Sequence, residues 1–352
     1  VAYWQGLFHA PITMPTYQPP FTLTAKLVAL VVDVTEALGK LATVVDVGAA
    51  PSEKTLLLRR IQRIRTVQGS LAIEGNGLTE AQITALLNGK RVLAPPKELQ
   101  EARNALAAYE QLPHWQAQQE KHLLHAHHVL MQGLADDAGR YRAGGVGVMQ
   151  GDKILHMAPP AQRVPLLMRQ LLGWLKDNQH HPLIVSSVFH YEFEFIHPFS
   201  DGNGRLGRLW QTLLLSEWNP WFTHIPVESL VFAHQAAYYQ AINASTKASD
   251  SAPFIEFMLT MILEAIAELT PQVTPQVTPQ VKALLLLLDT PQPRQALQAA
   301  LGLKDRKSFR ERYLLPAMAA GWVRLTLPDQ PNSRLQRYQR SAAGDLLVLG
   351  SP

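Results

Sequence analysis

Apolar residues recur at threes and fours between Pro182 and Ile196, with Val185, Val188, Phe189, Phe193 and Ile196 on the repeat. The run passes directly into His197-Pro198-Phe199-Ser200-Asp201-Gly202-Asn203-Gly204-Arg205-Leu206-Gly207-Arg208. The period predicts a helix. The glycines flanking Asn203 then let the backbone turn and approach an anion closely. If Arg205 begins a second helix, the amides of the turn converge where the helix dipole favours negative charge. Arg205 and Arg208, three apart, share one helix face and can grip phosphate oxygens with planar, permanently charged forks. Asp201 is a hard oxygen ligand suited to magnesium shared with those phosphates. His197 is left for proton transfer, since an imidazole with a pKa near ~6.5 suits a general base at neutral pH. Together these groups form the inventory for handling a nucleoside triphosphate.

Two rival readings of the same residues are weaker. Gly202, Gly204 and Gly207 spell G-x-G-x-x-G, but a dinucleotide fingerprint needs a strand before its first glycine, and this one follows a helix. His190, Glu194 and His197 form a stripe four and three apart. With no further ligand at a characteristic spacing, it reads as the polar face of an amphipathic helix rather than a metal site.

A second motif lies upstream. Ser70-Leu71-Ala72-Ile73-Glu74-Gly75-Asn76 follows a basic helical run, 56–68, whose end the glycine and asparagine mark. Ser70 and Glu74 are four apart and share a face. The dipole disfavours a glutamate at a helix C-terminus, so Glu74 asks for a cationic partner.

At 352 residues with 47% hydrophobic content, the chain can build two or three domains. It has no cysteine, which excludes disulfides, thiolate nucleophiles and cysteine–zinc sites, and a cytoplasmic location is expected. Apolar runs such as 283–288 fall far short of the roughly 20 residues that span a bilayer. Val1-Ala2-Tyr3-Trp4 carries no signal-peptide pattern, so no membrane role is expected.

Residues 1–20, rich in proline and aromatics, read as an extended arm laid over the surface. A helix is expected over 22–41, and after a break at 48–51 comes the run that leads into Ser70. Thr79-Glu80-Ala81-Gln82 is a capping box opening another helix. Pro95-Pro96 separates that helix from one over 97–111. His122, His125, His127 and His128 in 121–134 point in several directions around a helix and read as ordinary polar or packed histidines. Val146-Gly147-Val148-Met149 and Lys153-Ile154-Leu155-His156 flank Gln150-Gly151-Asp152, a hairpin with glycine in its turn.

Three tandem Thr-Pro-Gln-Val units, 270–281, place proline at every fourth residue, which forbids a continuous helix and predicts a linker. The last Thr278-Pro279 has the form of an N-cap followed by proline at the first helical position, launching a helix over 282–288. Helices over 294–303 and 305–320, joined at Gly302, then precede strands over 323–327 and 334–340, the pattern of a winged helix. From 291 to 345 ten Lys/Arg face four Asp/Glu, net +6, whereas the whole chain is 32 minus 28, net +4. Positive charge is concentrated here, as DNA binding requires, although winged helices also dock proteins.

The run 197–208 resembles the H-P-F-x-D-G-N-G-R-x-x-R signature of the Fic family, with every defined position filled. The resemblance implies a mainly α fold: a helical core with a β-hairpin flap and a small C-terminal winged-helix domain. The corresponding divisions are an N-terminal helical region, 1–115, a catalytic core, 116–270, a linker, 271–281, and the winged helix, 282–352. It implies transfer of AMP from ATP, with Mg2+, to a Ser, Thr or Tyr hydroxyl of a target protein, self-modification included. His197 would deprotonate the hydroxyl and Asp201 would hold magnesium on the α- and β-phosphates. Gly202, Asn203 and Gly204 would form the anion cradle, with Leu206 and Gly207 in the same ATP-binding run. Arg205 would hold the phosphates, Arg208 would clamp the γ-phosphate, and Phe199 would anchor the core.

The flap would pair with the target's backbone by strand addition, and Arg140-Tyr141-Arg142 resembles the approach to it. Tyr238 to Asn243 resembles the segment lining the adenine pocket, with Tyr239 as the base contact. The upstream motif resembles the S/T-x-x-x-E-G/N inhibitory motif, which would pair Glu74 with Arg208 in the space the γ-phosphate needs, with Ser70 beside it. Family members commonly dimerise, which admits a homodimer. The alternatives are hydrolytic removal of AMP on the same site, with Glu74 orienting water, and a DNA-binding regulator whose core only senses nucleotide.

Overall fold

The computed structural model describes residues 17–44, 53–150, 153–273, 277–331, 333–341, 344–345 and 348. Most of the N-terminal arm, the break at 48–51 and the Gly151-Asp152 turn lie outside the described residues. The described residues divide into two compact units, one within Val1–Ala37 and Pro51–Leu269, the other within Leu38–Ala50 and Thr270–Pro352. The position 115 expected as a boundary falls inside the first unit.

The first unit is helical apart from one hairpin. α1 (Ala25–Val44) starts three residues later than the period suggests because Thr24 caps it, its hydroxyl accepting from Leu27 N at 3.0 Å. The described end of the arm is fastened by Tyr17, which donates to Glu192 at 2.5 Å, and by Pro20 O, which accepts from Ser251 N at 3.0 Å. α2 (Glu53–Ile73) carries the upstream motif. α3 (Glu80–Leu87) opens with the expected capping box, Thr79 and Gln82 each satisfying the other's backbone amide. α4 (Pro96–Gln111) and α5 (Glu120–Met131) follow. β1 (Gly147–Gln150) pairs antiparallel with β2 (Lys153–Met157), Val148 opposite His156, with an irregularity before Met149. α6 (Val164–Asp177) then leads to the central pair.

That pair is α7 (Pro182–Ile196) and α8 (Asn203–Trp218). α7 is buried on nearly every face, Ser186 and His190 as fully as Phe189 and Phe193, and a helix so enclosed belongs in the interior. α8 packs on it at Gly207, where a Cβ would meet Glu194 Oε1 at 2.9 Å and the Phe193 ring at 3.3 Å. α9 (Val227–Ala233) packs on α2 in the same manner: a Cβ on Gly69 would lie 2.6 Å from Ser229 N. α10 (Gln235–Ala248) and α11 (Ala252–Val273) follow.

α11 corrects one expectation. The first Thr-Pro-Gln-Val unit is the last turn of this helix rather than linker, because one proline close to a C-terminus removes a single backbone bond and spares the turns before it. The last unit behaves as read: Thr278 caps α12 (Pro279–Leu286), its hydroxyl accepting from Val281 N at 3.3 Å.

In the second unit α13 (Arg294–Ala300) precedes a helical segment made of α14 (Arg306–Phe309), a π turn over 310–314, and α15 (Leu315–Ala319). Pro316 cannot donate to the carbonyl four residues back and crowds it, and the wider turn takes up the mismatch. β3 (Val323–Leu325) pairs antiparallel with β4 (Tyr338–Arg340), a shorter hairpin than the sequence suggests. Phe309, Leu284, Leu297 and Trp322 share the core. Helices followed by a hairpin give the element order of a winged helix. Asp305 caps α14, and Arg306, Lys307 and Arg310 are exposed. No helix among the described residues is long and apolar enough to cross a membrane.

Candidate active site

α7 ends because His197 takes a left-handed conformation (φ 51°, ψ 62°), with its N–H on Phe193 O at 2.9 Å, and Pro198 prevents continuation. The chain then folds inward on Phe199, which is fully buried and stacked on the His127 ring with centroids 3.6 Å apart. Asn203 closes the loop from the far side. Its Oδ1 accepts from Phe199 N and its Nδ2 donates to Phe199 O, both at 2.9 Å. The Asn203 side chain is therefore spent on the turn, which leaves its backbone amide as the group available at the start of α8.

Gly202 caps α8 in a left-handed conformation (φ 82°), and a Cβ there would strike Met131 Sδ at 2.6 Å. α8 thus begins at Asn203, two residues earlier than the sequence reading placed it. Its first intrahelical bond is Leu206 N to Gly202 O at 3.0 Å, which leaves the amides of Asn203, Gly204 and Arg205 at the open end, where the dipole favours an anion. Leu206 points into the core and Gly207 against α7, so these two serve packing.

Carboxylates grip both arginines. Arg205 is buried, with Nη2 on Asp201 Oδ1 at 3.0 Å and Nη1 on Glu101 Oε1 at 3.3 Å. Its buried Nε has no acceptor among the described residues. The Asp201 carboxylate is half exposed, and no group of three or more metal-ligating side chains exists among the described residues. One exposed carboxylate beside an anion cradle fits magnesium held jointly with phosphates, which this ion prefers to an all-protein cage.

Arg208 is met from α2. Its Nη2 donates to Glu74 Oε1 at 2.7 Å and to Ser70 O at 2.9 Å, and its Nε donates to Ser70 Oγ at 3.2 Å. Glu74 stands one residue past the helix, in a turn completed by Gly75 at φ 85°. Its carboxylate also lies against Gly204, so closely that no Cβ could fit there. The anionic group at the open end of α8 is thus the protein's own. Burial works against the Arg208 charge, but Glu74, with Tyr238 and Glu194, outweighs it and holds the guanidinium above its ordinary range.

Behind the arginines lies a buried polar layer. His190 bonds Gln211 at 2.6 Å and Tyr238 at 3.2 Å, and burial holds its pKa down to about 3, so it is neutral. Burial pushes Glu194 up to about 8, with Arg208 opposing and Glu74 reinforcing. Its carboxyl lies 3.9 Å from His197 Nδ1. Tyr239 is half buried in the same electrostatic neighbourhood, its hydroxyl raised by burial and by Glu74.

Three residues outside the motifs complete the site. Arg142, buried just before the hairpin, donates from Nε to His197 O at 2.7 Å and from its terminal nitrogens to Pro159 O, Gly144 O and Ile196 O. It ties the base of the hairpin to the base of the catalytic turn. His127, from the histidine patch, bonds Asp201 O at 2.9 Å and accepts from Gly139 N at 2.8 Å, while burial keeps it neutral. Glu101, on α4, reaches Arg205. A lone glutamate on a helix gives no sequence signal of such a role; for Arg142 the cue was the resemblance of Arg140-Tyr141-Arg142 to the approach to the hairpin.

Comparison with known proteins follows the same outline. Residues 117–215 match the model of the Fic/DOC family, and residues 279–341 match that of the Filamentation induced by cAMP protein Fic-like, C-terminal domain. A Fic family protein of Desulfovibrio desulfuricans G20, known from its crystal structure, is 48% identical, with a TM-score of 0.69 over 93% of this chain and 99% of that one. A Fic domain containing signaling protein of Bacteroides thetaiotaomicron, 18% identical with a TM-score of 0.58, shares the fold. The chain is 27% identical over 233 residues to "Protein adenylyltransferase Fic" of Nematostella vectensis, covering 61% of this chain and 49% of the relative. It spans about half the length of the curated relatives it matches.

Proposed function

The chain belongs to the Fic family, and on that footing we propose that it is a protein adenylyltransferase restrained by its own Glu74. It moves AMP from ATP to a hydroxyl of a protein side chain, its own included. The amides of Asn203, Gly204 and Arg205, with the Arg205 guanidinium, receive the phosphates. Asp201 would hold magnesium together with those phosphates, and the ion would supply positive charge beside them. Arg208 grips the γ-phosphate, and Tyr239 lines the adenine side. A target segment adds as a strand to the β1–β2 hairpin, which Arg142 keeps in fixed relation to His197.

His197 takes the proton from the target hydroxyl as its oxygen bonds to the α-phosphorus. The bond from that phosphorus to the bridging oxygen breaks, and pyrophosphate leaves. His190 and His127, both held neutral by burial, compete neither for the proton nor for the phosphates.

The observation that carries the restraint is the position of the Glu74 carboxylate, 2.7 Å from Arg208 and pressed against Gly204. It fills the place a γ-phosphate needs and takes the arginine that would hold it. The test is transfer from labelled ATP by the wild type and Glu74→Gly, read by mass spectrometry of the protein itself. The reading expects a gain in the variant. Loss of transfer, with release of AMP from a modified protein depending on Glu74, would instead assign the carboxylate to the reverse reaction.

A further inference from the structure

Glu101 has two carboxylate oxygens and uses them in different places. Oε1 accepts from Arg205 Nη1 at 3.3 Å, and Oε2 accepts from Asn76 Nδ2 at 2.8 Å. Asn76 is the last residue of the motif that holds Glu74, and it is otherwise fixed by Glu98 O at 3.2 Å and Leu78 N at 3.1 Å. Arg205, Glu101 and Asn76 are all largely buried, with side-chain exposures of 6% and 10% for the charged pair. On the other side of the guanidinium stands Asp201. Its two terminal nitrogens are thus engaged by carboxylates from different elements, and Nε is a buried donor with no acceptor among the described residues.

A long side chain loses freedom when it grips a ligand, and a side chain already held loses less. We propose that Glu101 is a positioning residue for Arg205: it fixes the guanidinium in its phosphate-receiving orientation and links that orientation to the inhibitory segment through Asn76. The proposal rests on the adenylyltransferase reading for its ligand, though its effect is a binding effect. Phosphate contacts made equally before and during the reaction alter KM and leave kcat alone.

The test uses the full chain in the Glu74→Gly background, with ATP and magnesium, measuring the Kd by titration calorimetry and kcat and KM by transfer. Glu101→Ala should raise Kd and KM by about 3- to 10-fold, the range for immobilising one rotamer-rich side chain, with kcat within about twofold. Glu101→Gln should fall between, because its amide has one acceptor for two donors, Asn76 Nδ2 and Arg205 Nη1. The decisive arm is Arg205→Ala, in which Glu101→Ala should have no further effect on Kd. An unchanged Kd in the single variant overturns the proposal. So does an equal loss with and without Arg205, which marks a general structural role. If ATP binds but no transfer occurs, the adenylyltransferase reading fails while the Kd values still judge Glu101. If no variant binds ATP, both fall.

Discussion

The turn at 197–208 and the segment at 70–76 meet at Arg208, yet they are held in opposite ways. The turn is held largely from within, with His127 and Arg142 bracing it from outside. Asn203 makes both of its bonds to Phe199 four residues away, Gly202 supplies the left-handed cap, and Phe199 is locked under His127. The segment closes its backbone on Leu71 and Ala72 but is anchored to the rest of the protein by side chains: Gln235 on Ile73 O, Asn76 on α4, and Arg208 on Ser70 and Glu74, which stays one-third exposed. A restraint attached this way can be lifted without dismantling what it restrains. That asymmetry is what the proposed restraint requires, because the turn must survive removal of Glu74.

The sharpest test of the self-sufficient half is His197→Ala. Transfer should fall by about 10²- to 10⁴-fold, the usual cost of losing a general base, while ATP affinity stays unchanged in calorimetry. Retention of more than about a tenth of the activity would remove His197 from the proton step.

Next comes the removable half. Glu74→Gly should raise transfer by about tenfold, equivalent to about 1.4 kcal/mol of relieved restraint, and Arg208→Ala in that background should reverse the gain. A variant with raised transfer and a disordered 197–208 turn by hydrogen exchange would break the contrast between the two regions.

A smaller effect is expected where the turn meets α7. The Glu194 carboxyl is raised to about 8 by burial, against the ordinary 4.5 of a glutamate in water. The folded protein therefore binds more protons than the unfolded chain between those values, and Glu194 costs progressively more stability as pH rises through that window. Glu194→Gln removes the group. Its melting-temperature advantage over wild type should be absent below about pH 4.5 and grow up to about pH 8. A pH-independent difference would show that the carboxyl is not displaced.

The least effect on chemistry should come from reversing the charges of Arg306, Lys307 and Arg310, in the second unit. Self-modification should stay within about twofold, as expected for sites that share no partner. If that unit holds duplex DNA, wild-type binding in a gel shift should weaken by roughly 10³-fold between low and moderately high salt, and the reversal should abolish it. No salt-sensitive complex at micromolar protein would leave protein docking as the role of this surface.

Much of this was legible in the chain. α7 was readable to its ends because its apolar period is unbroken and Pro198 stops it, and the capping box of α3 and the Thr278-Pro279 start of α12 were local signals that the structure reproduces. The start of α8 was misplaced by two residues because the capping role of Gly202 depends on Met131, which is remote in sequence. The proline repeat misled at its first unit, since what a proline does depends on where the helix already intends to end. Within the site, residues brought together by a local motif were visible. Glu101 and the bracing roles of Arg142 and His127 were not, because their partners are carbonyls and side chains 25 to 104 residues distant, and a backbone carbonyl leaves no mark on a sequence.

The left-handed backbone of His197 sets up a conflict between durability and activity. A helix end of this kind is most cheaply built with glycine or asparagine, and a histidine there gives up about 1 kcal/mol of conformational ease. A lineage that stopped needing the reaction would be free to recover it, and one base change family of substitutions, toward asparagine, would make the protein sturdier as it became inert. Descendants that keep the fold as a scaffold should therefore carry asparagine or glycine at 197 and melt higher than their working cousins.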